Sequence, residues 1–190
     1  MGLRFLQLNT NHSPRPQDLL LQHLAEWQLD ISLVSEPYFV PSDREDWIAD
    51  AKGLSAIIAP GLPLECRGIL LVAVYLPPRR SAAAVEAGLD RLSAVLRQSS
   101  LPALIGGDFN AKSTAWGEDA TDTRGELVLE WATASGLVVL NVGRVPTCVR
   151  PQGESIVDLT FASPSLASRV SGWQVLAESE SFFRPPEHPV

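Results

Sequence analysis

Cysteine is scarce in this 190-residue chain: there are two, Cys66 and Cys148, far apart in the sequence. Two widely spaced thiols build neither a disulfide framework nor a zinc site, so no disulfide partner is expected. Positive charge is short as well. Fifteen Lys and Arg stand against 22 Asp and Glu, a net charge of −7. That balance speaks against a strong, non-specific nucleic-acid binder, whose surface would be basic. Long apolar runs are missing. The longest, Ile69 to Val74, is strand-sized, far short of the ~20 residues of a membrane-spanning helix, and no membrane partner is expected. The opening residues, Met1-Gly2-Leu3-Arg4-Phe5, have no apolar signal-peptide core, and Leu6 stands where a myristoylation signal needs Ser or Thr. An intracellular, non-secreted protein is the expectation. There are no repeats, linkers or low-complexity segments. What is there is 45% hydrophobic residues, too many for disorder and enough at this length for one domain with a sizeable core.

Strand and helix patterns alternate along the chain. Leu3 to Leu8 reads as a strand running into Asn9-Thr10-Asn11. Gln17 to Leu29 carries Leu20, Leu24 and Trp27 at helical spacing. Ser81 to Gln98 is the clearest helix, with Ser81 as N-cap and Val85, Leu89, Leu92 and Leu96 on one stripe. Arg124 to Ser135 predicts a third helix, closed by Gly136. Leu137 to Asn141 and Trp173 to Leu176 read as strands, and Ser163-Pro164-Ser165 as the start of a short helical turn. Trp27, Trp131 and Trp173 sit on apolar stripes and are expected in the core. Pattern alone supports α/β or α+β.

Five of the apolar segments each deliver a polar group near an end or interior. Ala103-Leu104-Ile105 runs into Gly106-Gly107-Asp108-Phe109-Asn110. Two glycines there are expected to turn the chain sharply at the strand end, with Asp108 and Asn110 on the same side. An acceptor that orients water beside an amide that donates to a phosphoryl oxygen is what in-line phosphodiester attack needs. An ordinary loop turn fits the same residues. Asp30 to Pro37 ends in Glu36, which the following proline fixes at a strand end. Leu70 to Pro78 carries Tyr75 just before a Pro-Pro turn. Gly153 to Phe161 places Asp158 inside an apolar strand, where a carboxylate is costly unless paired or used. Polar groups converging from several strands are how a site is built on a rigid scaffold.

Taken in order, Leu-Asn-Thr-Asn-His at 8–12, Val-Ser-Glu-Pro-Tyr at 34–38, Val-Tyr-Leu-Pro-Pro at 74–78, Gly-Gly-Asp-Phe-Asn-Ala-Lys-Ser at 106–113 and Gly-Glu-Ser-Ile-Val-Asp-Leu-Thr at 153–160 resemble the endonuclease/exonuclease/phosphatase superfamily. Within it they are most similar to the apurinic-type endonuclease domain of insect non-LTR retrotransposons, the R1-like and jockey-like elements. The resemblance spans about residues 3 to 180. It implies a DNase I-like α/β (α+β) sandwich, two mixed sheets packed face to face with flanking helices. It implies a DNA endonuclease dependent on Mg2+ (or Mn2+), which nicks target DNA for primed reverse transcription in the nucleus or cytoplasm. Its partners would be target DNA and the reverse transcriptase and RNA of the parent element. Asn9 and Glu36 would hold the metal, and Asp108 would orient or deprotonate the attacking water. Asn110 and Tyr75 would donate to the scissile phosphate, and Asp158 would orient a catalytic histidine. Asn11, Lys112 and Thr147 are further candidates for phosphate or DNA contact. For Asn11 a turn-shaping role, and for Lys112 a solvated loop position, are equally open. Trp116 would line the DNA path or close a loop over the core, and His12 is expected as a surface-loop histidine.

Two departures mark the chain. Members end with Ser-Asp-His, whose histidine touches the phosphate and pairs with the internal aspartate. Here Ser181 is followed by Phe182-Phe183-Arg184, and His188 sits between Glu187 and Pro189. The domain is therefore expected over residues 1–181, with a divergent Pro-rich tail over 182–190 and His188 solvated. Between Pro60 and Ile69, about one strand and its turn are missing by usual strand lengths. Such a loss would leave backbone groups unpaired and suits a decayed or mis-spliced mobile-element copy. Three readings stand together: an endonuclease impaired by the lost histidine, a catalytically dead relic with weak metal or nucleic-acid binding, and a phosphoesterase from another branch of the superfamily.

Overall fold

In the computed structural model, which describes residues 3–60 and 68–176, the apolar runs form ten short strands. Along the chain these are β1 (Phe5–Asn9), β2 (Ile31–Ser35), β3 (Trp47–Ala49), β4 (Ser55–Ile58), β5 (Leu70–Tyr75), β6 (Ala103–Asp108), β7 (Val138–Val139), β8 (Cys148–Arg150), β9 (Gly153–Ser155) and β10 (Asp158–Ala162). Four helices accompany them: α1 (Pro14–Glu26), α2 (Ala82–Gln98), α3 (Thr123–Ala134) and α4 (Pro164–Ala167). One sheet has the order β1-β2-β4-β3, the other β5-β6-β10-β7, and β8-β9 is a separate hairpin. Each large sheet contains one parallel pair, β1-β2 and β5-β6, and helices α1 and α2 make the two crossovers that such pairs require. The other pairs are antiparallel.

Leu20 and Leu24 of α1 pack on Val34 and Ile58 of the first sheet. Val85 and Leu89 of α2 and Val128 and Trp131 of α3 pack on Ile105, Leu159 and Phe161 of the second. Phe161 meets Phe109 and Trp131 edge-on, with ring centres 5.3 and 5.7 Å apart, a favoured aromatic geometry. The sheets face each other, so the layers run helix, sheet, sheet, helices, as the resemblance implied. Polar staples cross between the sheets. The Ser35 hydroxyl donates to the Val74 carbonyl at 3.1 Å and accepts from the Asp108 N–H at 3.1 Å. Gln7 donates to the Gly107 carbonyl at 3.2 Å and accepts from the Thr160 hydroxyl at 3.1 Å.

The helix ends follow their sequence signals. Ser81 caps α2 through the Ala84 N–H, and Asp122 caps α3 through the Gly125 N–H at 2.6 Å. Gly136, at φ +64°, closes α3 with the Leu137 N–H returning to the Ala132 carbonyl. Helix α1 starts earlier than expected, at Pro14, because a proline in the first turn has no N–H to satisfy.

Several expectations need correction. Gly106 and Gly107 lie inside β6 and form no turn. The segment 153–161 is two strands, broken at Ile156-Val157, and Asp158 opens β10 instead of lying mid-strand. Residues 173–176 form no strand, and Trp173 is half-buried instead of in the core, its indole N–H donating to Thr160 at 3.2 Å. Trp27 is half-buried, stacked on His23 at 3.8 Å at the end of α1, and is not a core residue. Leu137–Asn141 shrinks to the two-residue β7. The expected strand loss near 61–67, Cys66, and the tail with Ser181 and His188 lie outside the described residues.

Candidate active site

Topology gathers the candidate residues at one edge of the sandwich. β1, β2, β5 and β6 all end there, because each parallel pair brings its C-terminal ends together. β10 runs antiparallel to β6, so its N-terminal residue arrives at the same edge. In register, Tyr75 pairs with Asp108 and Asp108 with Asp158, while Asn9 pairs with Ser35, next to Glu36.

Asn9 joins the two sheets. Its Nδ2 donates to Glu36 Oε2 at 3.0 Å and to Asp108 Oδ2 at 2.9 Å. Its Oδ1 accepts the Asn11 N–H at 2.7 Å, so Asn11 acts through its backbone by fixing the Asn9 amide. The Tyr75 hydroxyl donates to Glu36 Oε1 at 2.5 Å. Asp108 Oδ1 accepts the Asn110 N–H at 2.8 Å, and the Asn110 amide donates to the Leu76 carbonyl at 3.2 Å. Asn110 is not in an extended segment. It has φ +46°, and Asn11, His12 and Glu36 share that left-handed region at +49°, +51° and +49°. Such strain in non-glycine residues collects at functional sites.

The Asp158 backbone N–H and that of Val157 both donate to the Thr147 hydroxyl oxygen at 3.0 Å. Thr147 therefore reaches the cluster by holding the start of β10. Asp158 Oδ1 is buried and has no hydrogen-bond partner among the described residues. Burial raises the Asp158 carboxyl to about 7, and the Asp108 charge adds to it; Thr147 and Arg150 pull the other way. Burial likewise raises Asp108 to about 6, opposed by the hydrogen bonds from Asn110 and Asn9 and reinforced by Glu36. Burial and its bond to Glu36 push the Tyr75 hydroxyl up, so it stays protonated as a donor.

Neighbouring carboxylate charge thus raises the proton affinity of Asp108 and Asp158 at this edge. Such a cluster is chemically suited to a divalent cation. Among the described residues no three His, Cys, Asp or Glu side chains form a complete metal cage. A hard ion bound through one or two carboxylates and several waters does not need such a group. Glu36, whose side chain is 13% exposed, would hold it; Asn9, expected as a second ligand, turns its Nδ2 toward the acids and its Oδ1 toward the Asn11 N–H, and so positions Glu36 instead.

Lys112 is exposed, and its backbone is tied to Asp122. No hydrogen bond joins its ammonium to the cluster among the described residues. Trp116, 2% exposed, belongs to the core. Sequence reasoning missed Ser35, Arg124 and Arg150. Buried Ser35 sets the height of β6 against β2. The Arg124 guanidinium donates to the carbonyls of Leu76, Pro77, Pro78 and Phe109, tying down both loops that follow Tyr75 and Asp108. Arg150, on the β8 side of the hairpin, is the cation whose charge opposes the upward shifts of Asp108 and Asp158. Nothing local distinguishes these three from ordinary surface or core residues. The His12 ring also stands at the site, with Nε2 3.6 Å from Glu36 Oε1.

Residues 69–181 match the family model described as endonuclease-reverse transcriptase. No curated protein matches the chain. Among solved structures, the endonuclease domain of TRAS1, a telomere-specific non-LTR retrotransposon, is 27% identical, with a TM-score of 0.78 over 91% of this chain and 90% of that one. The 3' phosphatase NExo from Neisseria, bound to a product DNA hairpin, is 14% identical, with a TM-score of 0.72 over 97% and 95% of the two chains. An AP endonuclease from Archaeoglobus fulgidus is 17% identical, with a TM-score of 0.61 over 88% and 89%. The last two share the fold.

Proposed function

We propose that this chain, which belongs to the endonuclease-reverse transcriptase family, is a metal-dependent phosphodiester hydrolase that nicks DNA at reduced efficiency. The observation that carries this reading is the Asn9 amide, which clasps Glu36 from one sheet and Asp108 from the other. Two acids held at fixed separation beside hydrogen-bond donors suit metal-assisted attack of water on a phosphate.

A divalent ion bound through Glu36 would supply charge neutralisation at the phosphate and the leaving oxygen. Asp108 accepts the proton of the attacking water; its burial places its proton affinity near the working pH, where a general base is most effective. The Asn110 amide, preset by its left-handed backbone, donates to a non-bridging phosphoryl oxygen. Tyr75 spends its one hydroxyl proton on Glu36 and so orients that carboxylate. Asp158 presents a buried oxygen that calls for a donor. In the resemblance that donor is the histidine of Ser-Asp-His, and the residues after Ser181 hold no such tripeptide. A single preorganised donor is worth ~10²–10³ in kcat, which sets the expected deficit.

The likeness to the TRAS1 endonuclease domain supports a role in nicking target DNA to prime reverse transcription, with the reverse transcriptase and RNA of a parent element as partners, in the nucleus or cytoplasm. The Asp158 oxygen, which has no donor among the described residues, favours a second reading, a relic that keeps the scaffold and has lost the chemistry.

Nicking of supercoiled plasmid with Mg2+ or Mn2+ separates the two. Open-circle product that disappears with EDTA and in Glu36→Ala supports the endonuclease. Folded protein that leaves the plasmid supercoiled under every metal condition establishes the relic.

A further inference from the structure

His12 lies in the loop after β1 and is 52% exposed, yet it is not placed as a free surface residue. Its Nδ1 lies 3.1 Å from the Pro37 carbonyl. A carbonyl only accepts, so Nδ1 carries the proton, and in the neutral ring Nε2 carries a lone pair. That lone pair faces Glu36 Oε1 at 3.6 Å. The two atoms are held together when a positive centre, a proton on Nε2 or a metal ion in its place, stands between them.

Backbone contacts hold the pair in register. The His12 N–H donates to the Glu36 carbonyl at 2.8 Å, and the Thr10 hydroxyl donates to the same oxygen at 2.5 Å. Both His12 and Glu36 are held at positive φ, a conformation that costs energy in non-glycine residues. Imidazole and carboxylate therefore form one unit. An imidazole whose second nitrogen donates to a backbone carbonyl is the usual arrangement of a metal-bound histidine. Atoms 3.6 Å apart also lie within the span that two ligands of one ion cover at bonds of about 2.2 Å.

Resting on the metal-dependent reading above, we infer that His12 Nε2 is a direct ligand of the divalent ion beside Glu36. The nitrogen, a softer donor than carboxylate or water, biases the site away from Mg2+ and toward first-row transition ions, of which Mn2+ is the weakest bound.

The test uses the whole chain and Mn2+ alone, without DNA. Bound Mn2+ is titrated by electron paramagnetic resonance, and spin-echo modulation reads any directly coordinated nitrogen. The wild type is expected to bind Mn2+ with a 14N modulation. His12→Ala and His12→Asn, the latter keeping a residue suited to the left-handed backbone, are expected to lose that modulation and bind Mn2+ at least ~10-fold more weakly. Their preference for Mn2+ over Mg2+ should shrink in parallel, and Glu36→Gln should abolish binding. Unchanged modulation in both His12 variants, or wild-type binding without modulation, would overturn the assignment and leave the metal-dependent reading standing. A wild type that binds no Mn2+ would overturn both.

Discussion

Asp158 shows how much one residue gives up for a site. Its carboxyl sits at about 7 because burial and the neighbouring Asp108 charge both disfavour ionisation, and its Oδ1 finds no donor among the described residues. A group in that position is a functional candidate and a stability defect at once. Asp158→Asn removes the charge and keeps the shape. In metal-free protein at pH 8 it is expected to raise the melting temperature by a few degrees, at ~2–4 °C per kcal/mol for this size. Plasmid nicking should fall. A lower melting temperature in a calorimetric scan would show that the Asp158 charge is already compensated. The residue types at this site were readable one by one, since Glu36, Tyr75 and Asp108 each close an apolar run. Their hydrogen bonds were not. That Asn9 spends its amide on two acids, and that the Thr147 hydroxyl accepts from the Asp158 N–H, depends on atoms 11 to 99 positions apart in the chain.

At the scale of the element, β6 holds the lesson. Its Gly106-Gly107 pair carries the same local signal as a turn, and that is how it reads. The structure uses it for close approach instead. A Cβ on Gly107 would stand 1.8 Å from the Val74 carbonyl oxygen, and one on Gly106 would strike the Gln7 and Leu33 side chains. Glycine lets β6 lie tight against its neighbours and so brings Asp108 level with Asn9. Because the obstacle at Gly107 is backbone, it cannot rotate away. Gly107→Ala is expected to cost more than ~4 kcal/mol, leaving little soluble folded protein. Gly53→Ala, at φ +64° with open space around it, should cost only about 1–2 kcal/mol. Comparable denaturation midpoints for the two would refute the packing argument. The break between β9 and β10 has the same origin. Ile156 and Val157 continue the apolar run, but there the chain leaves its hairpin to join β6, which local pattern does not encode.

At the scale of the whole molecule, pH acts on the same acids that would hold the proposed metal. Asp108 and Asp158 bind protons more tightly in the folded chain than their ordinary 3.8. Between about pH 4 and 7 the native state therefore holds more protons than the unfolded state, and stability falls as pH rises. The net charge of −7 adds self-repulsion in the same direction. Metal-free protein is expected to melt roughly 5 °C higher at pH 5 than at pH 8. Saturating Mn2+ should remove or reverse that slope, because it stabilises the ionised acids. Thermal scans with EDTA and with Mn2+ across this range check it; a slope unaffected by the ion would separate the acids from the metal.

By itself the sequence determined the alternation of strands and helices, the caps at Ser81 and Gly136, and the acids that end the apolar runs. These follow from short-range rules of periodicity, capping and the cost of burying charge, all of which act within a few residues. Only the tertiary structure decided what the Gly-Gly pair is for, where β9 gives way to β10, and that Trp116 is core. It alone brought Arg124, Arg150 and His12 to the acids. Those outcomes depend on which sheet edge faces which loop, a matter of packing between segments that no local pattern carries.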